Sequence, residues 1–294
     1  LLWLFCGRQM LGQGFLVHLL MSTAARCLTK RGDLEMGKLE GKVAVITAST
    51  RSIGRAIAEI YLSEGAKVVV SGRSAEKGEQ ALAEMNAGES AHFIACDAVN
   101  QSEVESLIDE TVNHFGKLDI VVLNAGGIMG AAPVAEMTDE VWNHALDINL
   151  NHTFWGMRKA LGYMIPQESG RIIAMSSMEG KLAKATLSNY TSNKHAINGL
   201  VKVAAHEVGT LGITVNAILP GLVLTDMFYE SMPATAETMG VTLEEAADMF
   251  TQPAAIKRPN TVEEVAAVAL MLARDEARNI TGCLFPVDGG TMPY

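Results

Sequence analysis

Seven short, predominantly apolar runs recur along residues 36–294: Val43 to Ala48, Lys67 to Ser71, Ala91 to Cys96, Ile120 to Asn124, Arg171 to Met175, Thr214 to Leu219 and Cys283 to Val287. Helical periodicity fills the spaces between most of them, over Arg55 to Ser63, Ala75 to Met85, Ser102 to Phe115, Asp139 to Met164, Tyr190 to Leu211 and Thr261 to Leu272. A strand that is apolar at successive positions has no face to give to water. Alternating with helices, such strands predict an α/β fold: one doubly wound parallel sheet of about seven strands, covered by helices on both sides. No Pro/Ser-rich linker divides residues 36–294, so they read as a single domain. The alternation breaks only from Asp226 to Pro259. An insertion of this kind, at the carboxyl end of a strand, is expected to shape a ligand site.

Composition narrows the function classes. With 49% apolar residues the chain has material for a large core. Its formal charge of −10 argues against nucleic acid, because an acidic surface gains nothing from displacing phosphate counterions. The four cysteines are scattered, which fits a reduced, cytoplasmic protein. Residues 1–35 stand apart. Up to Arg31 they hold no acidic residue, and their apolar clusters are broken by Gly12, Gln13, Gly14 and His18. Clusters that short do not span a bilayer, so no membrane partner is expected. The segment reads as upstream translated sequence or as a targeting segment, and is set aside from the fold.

The first strand runs into Thr47-Ala48-Ser49-Thr50-Arg51-Ser52-Ile53-Gly54, a turn of small residues before a helix. Small side chains let backbone N–H groups approach a pyrophosphate, and the helix N-terminus favours its charge. A capped helix start is the plainer reading of the same residues. After the second strand, Val70-Ser71-Gly72-Arg73-Ser74 offers no carboxylate to hold a ribose 2′-hydroxyl. Arg73 and Arg51 could instead clamp a 2′-phosphate, which favours NADP(H), with NAD(H) the alternative. Asp97 with Ala98, and Asn124-Ala125-Gly126, follow the third and fourth strands at carboxyl ends, where ligands bind in open α/β sheets.

Tyr190 and Lys194 are four residues apart at the start of a helical stretch, hence on one face. An ammonium beside a phenol stabilises the phenolate and prepares it for proton transfer to or from an alcohol oxygen. Ser177, thirteen positions before Tyr190, ends a strand and could hydrogen-bond a substrate oxygen. Asn149 is polar within an apolar run and is either a satisfied core amide or the holder of a relay water.

Together these residues resemble the short-chain dehydrogenase/reductase family across residues 36–294: Ser52-Ile53-Gly54, Asp97, Asn124-Ala125-Gly126, Asn149, Ser177, Tyr190 with Lys194, Asn216 to Pro220-Gly221, Thr225, and Val287-Asp288-Gly289-Gly290. The resemblance implies a Rossmann-type fold and a catalytic tetrad of Asn149, Ser177, Tyr190 and Lys194. It implies that Lys194 also binds the nicotinamide ribose, and that Pro220, Gly221, Val223 and Thr225 meet the carboxamide. It implies a homo-oligomer, dimer or tetramer, built through the long helices. The family turn carries glycine where this chain has Ala48 and Ser52. The activity implied is reversible oxidation of a secondary alcohol to a ketone. Met227, Phe228, Tyr229, Met232, Met239, Met249 and Phe250 suggest an apolar, hydroxysteroid-like substrate. The alternatives are a 3-oxoacyl thioester reductase and a non-catalytic dinucleotide sensor on the same fold.

Overall fold

The structure, a computed structural model, describes residues 37–292. The reading of residues 1–35 therefore lies outside the described residues. Seven strands form one sheet: β1 (Val43–Ile46), β2 (Lys67–Gly72), β3 (Ala91–Ala95), β4 (Ile120–Leu123), β5 (Gly170–Met175), β6 (Ile213–Pro220) and β7 (Leu284–Val287). Their order is β3-β2-β1-β4-β5-β6-β7, and every pair is parallel. The chain winds outward from β1 to β3, then returns to place β4 on the other side of β1. That reversal opens a crevice at the carboxyl ends of β1 and β4, the usual ligand position in such sheets.

The helices are α1 (Ser52–Ser63), α2 (Ala75–Met85), α3 (Gln101–Phe115), α4 (Asp139–Leu146), α5 (His152–Gln167), α6 (Ser188–Val208), α7 (Asp226–Met239), α8 (Leu243–Thr251) and α9 (Val262–Ala273). Strand side chains alternate between the two faces. Val45 enters a core with Leu107, Met157, Ile197 and Val201 from α3, α5 and α6. Its neighbours Ala44 and Ile46 enter the opposite core with Ile57, Tyr61, Val265 and Leu272 from α1 and α9. The sheet is the wall between the two layers.

Side-chain caps start most of the surface helices. Ser74, Asn100 and Thr138 accept backbone N–H bonds at the starts of α2, α3 and α4. Thr242 with Glu245 and Thr261 with Glu264 form capping boxes on α8 and α9. Helix α1 differs: its N-cap is Arg51, which supplies no capping bond. The first backbone donors of α1 are thus left for another acceptor.

Three boundaries differ from the sequence reading. Helix α1 begins at Ser52, not Arg55, so Ser52, Ile53 and Gly54 form its first turn. The single helix expected over Asp139 to Met164 is interrupted by a π-turn, Asp147–Asn151, in which the His152 N–H reaches back to the Asp147 carbonyl. The expected insertion at 226–259 is mostly helical, as α7 and α8. Thr225 and Thr242 both cap, and they give each amphipathic segment a defined start that apolar content alone did not reveal.

Candidate active site

The turn between β1 and α1 is held in left-handed backbone at two residues that are not glycine, Ala48 at φ 52° and Ser52 at φ 54°. Such conformations are strained for residues with a Cβ and persist where the surroundings fix them. The fixing contacts are present. Ser49 Oγ donates to the Ile46 carbonyl at 2.7 Å and accepts from Ser71 N–H at 3.0 Å, locking the turn to β2. Asn124 Nδ2 donates to the Thr47 and Ala48 carbonyls at 3.0 and 3.1 Å, locking it to β4. Gly54 packs beneath the turn; a Cβ there would stand 2.6 Å from the Ala48 carbonyl oxygen and 2.6 Å from Asn124 Nδ2. Gly54→Ala is therefore expected to destabilise the fold by about 1–3 kcal/mol, read as a lower urea midpoint.

Thr47 and His152 were not singled out in the sequence. Thr47 Oγ1 accepts from the N–H groups of Asn124 and Ala125 at 2.8 and 3.0 Å and faces His152 Nε2 at 3.0 Å. With two N–H groups on Thr47 Oγ1, its own proton is shared between His152 Nε2 and the Val122 carbonyl, 3.5 Å away. His152 is fully buried, and Nδ1 has no partner. Burial, then the nearby Lys194, pushes its pKa down to about 3, so the ring stays neutral. The available signal was spacing: His152 lies three residues after Asn149, one turn along the same helical run.

Asn149 sits in the π-turn, fully buried. Its amide is satisfied: Nδ2 donates to the Gly127 and Ala145 carbonyls at 3.0 and 2.9 Å, and Oδ1 accepts from Gly127 N–H at 3.1 Å. Of the two readings offered for this residue, the side-chain contacts match a satisfied core amide. Its carbonyl accepts from Thr153 Oγ1 at 2.7 Å. Gly126, at φ 153°, lets β4 pass close by. A Cβ on it would stand 2.7 Å from Asn149 Oδ1 and 3.2 Å from Lys194 Nζ. The strand end, the π-turn and Lys194 therefore converge.

Strand β5 delivers Ser176 and Ser177. Ser176 Oγ donates to the Lys194 carbonyl at 3.2 Å. Ser177 Oγ accepts from Glu179 N–H at 3.1 Å and lies beside the Tyr190 hydroxyl. Lys194 is buried, with Nζ donating to the Met175 carbonyl at 2.8 Å and standing 5.4 Å from the Tyr190 ring centre. Burial pushes the Lys194 ammonium down to about 7. It also raises the Tyr190 phenol above its ordinary value, opposed by the neighbouring Ser177 hydroxyl and reinforced by Glu179. The Tyr190 shift is therefore upward on balance, where the neighbouring ammonium was expected to bring it down. Desolvation acts on both charged forms, and the ammonium is spent on a carbonyl.

The remaining expected residues lie around the crevice. Asp97 Oδ1 accepts from Val99 N–H at 3.3 Å in the turn that also carries Ala98. Gly221 N–H donates to the Val287 carbonyl at 2.8 Å, Val223 bridges to Asn260, and Thr225 Oγ1 caps α7. Asp288 braces the closing loop by accepting from Gly290 and Met292 N–H groups. Arg73 is exposed and makes no ion pair among the described residues. Arg51 does not stand free beside it: its guanidinium meets Glu230 Oε1 at 2.5 Å. The end of β2 nevertheless abuts the turn, since a Cβ on Gly72 would stand 3.0 Å from the Thr50 side chain.

Comparison with known proteins gives one answer. The family model described as enoyl-(acyl carrier protein) reductase matches residues 47–292. A 3beta-hydroxysteroid dehydrogenase of Mediterraneibacter gnavus is 35% identical over 90% of this chain and 99% of its own length. A short chain dehydrogenase/reductase of Aspergillus oryzae is 35% identical over 88% of this chain and 98% of its own. The solved structure of an actinorhodin polyketide ketoreductase variant with NADPH superposes with a TM-score of 0.81 at 33% identity, covering 86% of this chain and 98% of that one. The chain belongs to the short-chain dehydrogenase/reductase family of oxidoreductases.

Proposed function

We propose that this oxidoreductase interconverts a secondary alcohol and a ketone, with Tyr190 carrying the proton. The observation behind this reading is the convergence of Ser177, Tyr190, Lys194 and Asn149 at the carboxyl ends of β4 and β5, beside the β1/β4 crevice. The fold suits a dinucleotide. The donors at the start of α1 have no side-chain cap, the turn before it is tied down, and Arg73 is unpaired among the described residues. Ser49, Ser52, Ile53, Gly54, Asn124, Ala125 and Gly126 would line the pyrophosphate and ribose side, and Pro220 to Thr225 the nicotinamide side. Nicotinamide supplies the hydride that a ketone carbon accepts. Tyr190, a phenol whose pKa burial raises above its ordinary value, donates its proton to the ketone oxygen. Ser177 orients that oxygen, and Lys194 balances the phenolate left behind.

NADP(H) is the proposed cofactor, because no carboxylate follows β2 and Arg73 is available for a 2′-phosphate. Arg73→Leu is expected to weaken NADPH binding about tenfold and leave NADH unchanged in fluorescence titration. Equal loss for both cofactors overturns the preference. The proposed substrate is apolar or cyclic, as in the hydroxysteroid relative, and residues 226–259, which carry α7 and α8, are its proposed contacts. A carrier-bound 3-oxoacyl thioester is the second reading; the description of the matching family model names a carrier-bound acyl thioester, an enoyl one. Turnover of cyclic ketones and acyl thioesters with NADPH separates the two, and a folded, NADPH-binding protein that reduces neither overturns both. Residues 36–294 would act as one catalytic domain in a cytoplasmic homotetramer. Exposed Trp142, Phe154, Ile165 and Val203 on α4, α5 and α6 offer apolar contact surface for it. Among the described residues no helix is long and apolar enough to cross a membrane.

A further inference from the structure

The turn that would receive the dinucleotide is joined to α7 at two points. Ser52 Oγ donates to Asp226 Oδ2 at 2.8 Å and accepts from the Asp226 N–H at 3.4 Å. One residue earlier, Arg51 holds Glu230 at 2.5 Å. Asp226 and Glu230 are four residues apart, so both carboxylates lie on one face of α7 and meet two successive residues of the turn. The link spans 174 and 179 residues of sequence. It uses a serine whose left-handed backbone is a glycine's natural conformation. Glycine at that position would keep the turn but could not bond Asp226. Both carboxylates also stand where anionic groups are wanted: Ser52 opens the uncapped end of α1, and Arg51 is one of the two cations beside the Thr50–Gly72 contact.

We propose that Asp226 and Glu230 act as an internal anion for the cofactor turn, docking α7 on Ser52 and Arg51 until a 2′-phosphate takes Arg51, so that cofactor identity sets the position of the helix over the substrate. This rests on the reading of Arg51 and Arg73 as a 2′-phosphate clamp. Linkage makes the coupling reciprocal: whatever the 2′-phosphate gains by taking Arg51, docking of α7 loses. The side chains of Arg51 and Glu230 are half-exposed, at 51% and 60%, so the coupling is modest and weakens with salt. Glu230 would then determine cofactor specificity without touching the reacting atoms.

The test uses the full chain with adenosine 2′,5′-bisphosphate (2′,5′-ADP) and 5′-AMP as probes, which differ only in the 2′-phosphate, following amide hydrogen exchange over residues 226–239 and affinity by calorimetry. Exchange in α7 should rise with 2′,5′-ADP and not with 5′-AMP. Glu230→Gln should raise exchange without ligand and tighten 2′,5′-ADP about threefold, leaving 5′-AMP unchanged. Ser52→Gly, which releases Asp226 and relaxes the turn, should also raise exchange in the absence of ligand. Equal α7 exchange in wild type, Glu230→Gln and Ser52→Gly overturns the docking whatever the cofactor preference. If both variants loosen α7 but no protein discriminates the two probes, the 2′-phosphate reading fails and the coupling with it, while the docking contacts stand.

Discussion

Tyr190→Phe should lower kcat for ketone reduction by about 10²–10⁴-fold while leaving NADPH affinity within about twofold of wild type. The substitution removes one hydroxyl and keeps the ring, so the packing of α6 against the β5 loop is retained. What is lost is the proton donor beside Ser177. Stopped-flow turnover with a saturating ketone gives the first number, and fluorescence titration gives the second. A variant within about tenfold of wild type would remove Tyr190 from the chemistry. In the wild type, alcohol oxidation needs the phenolate and should quicken with rising pH. Ketone reduction, which needs the phenol, should be lost as pH climbs past the raised Tyr190 pKa.

Lys194→Met carries the second large effect, and its two readouts should diverge. Turnover should fall by about 10²-fold or more, because no cation remains to balance the phenolate. Stability at pH 7 should not fall, and we expect it to rise. Lys194 is buried, and its pKa is pushed down from 10.5 to about 7. Between those values the unfolded chain binds more protons than the native one, so native stability rises with pH across that window. The cost of burying the lysine is greatest below pH 7 and disappears above 10.5. At its largest this is on the order of 5 kcal/mol. The Met175 carbonyl loses its donor, which offsets about 1–3 kcal/mol of the gain. Urea unfolding at pH 7 and pH 9.5 checks the sign: the advantage of the variant should shrink at the higher pH. A variant less stable than wild type at pH 7 would mean that the lysine holds the fold together rather than straining it.

The sheet was legible because its central strands are buried on both sides. Val43–Ile46 and Ile120–Leu123 are apolar at every position, a pattern that only a covered parallel sheet accommodates. Ser177, Tyr190 and Lys194 were legible through their order and through the four-residue spacing of the last two. Other features left weaker traces. The π-turn is defined by which carbonyl the His152 N–H chooses, and side-chain composition does not record that choice. Thr47 and His152 are partners across 105 residues, and each alone reads as an ordinary polar residue near an apolar run. The reach of Ser52 to Asp226 is longer still, and in the sequence alone Ser52 is only a serine where the family turn carries glycine. The direction of the Tyr190 shift was missed for another reason: spacing brings two groups together but says nothing of how much water both have lost.

The π-turn at Asp147–Asn151 has a consequence for how this helix tolerates change. In an uninterrupted α-helix each residue advances the side chains by about 100°, so one added or deleted residue rotates everything beyond it. A widened turn accommodates one residue without passing on that rotation, and α4 and α5 therefore keep separate angular phases. The outer face of α5, with Phe154 and Ile165 on it, can be re-cut for a different neighbour while Asn149 keeps its aim at Gly127. Deleting one residue from the turn would do the reverse. The helix would close to regular pitch, and Asn149 would swing off the β4 end with no change of side chain at the site itself.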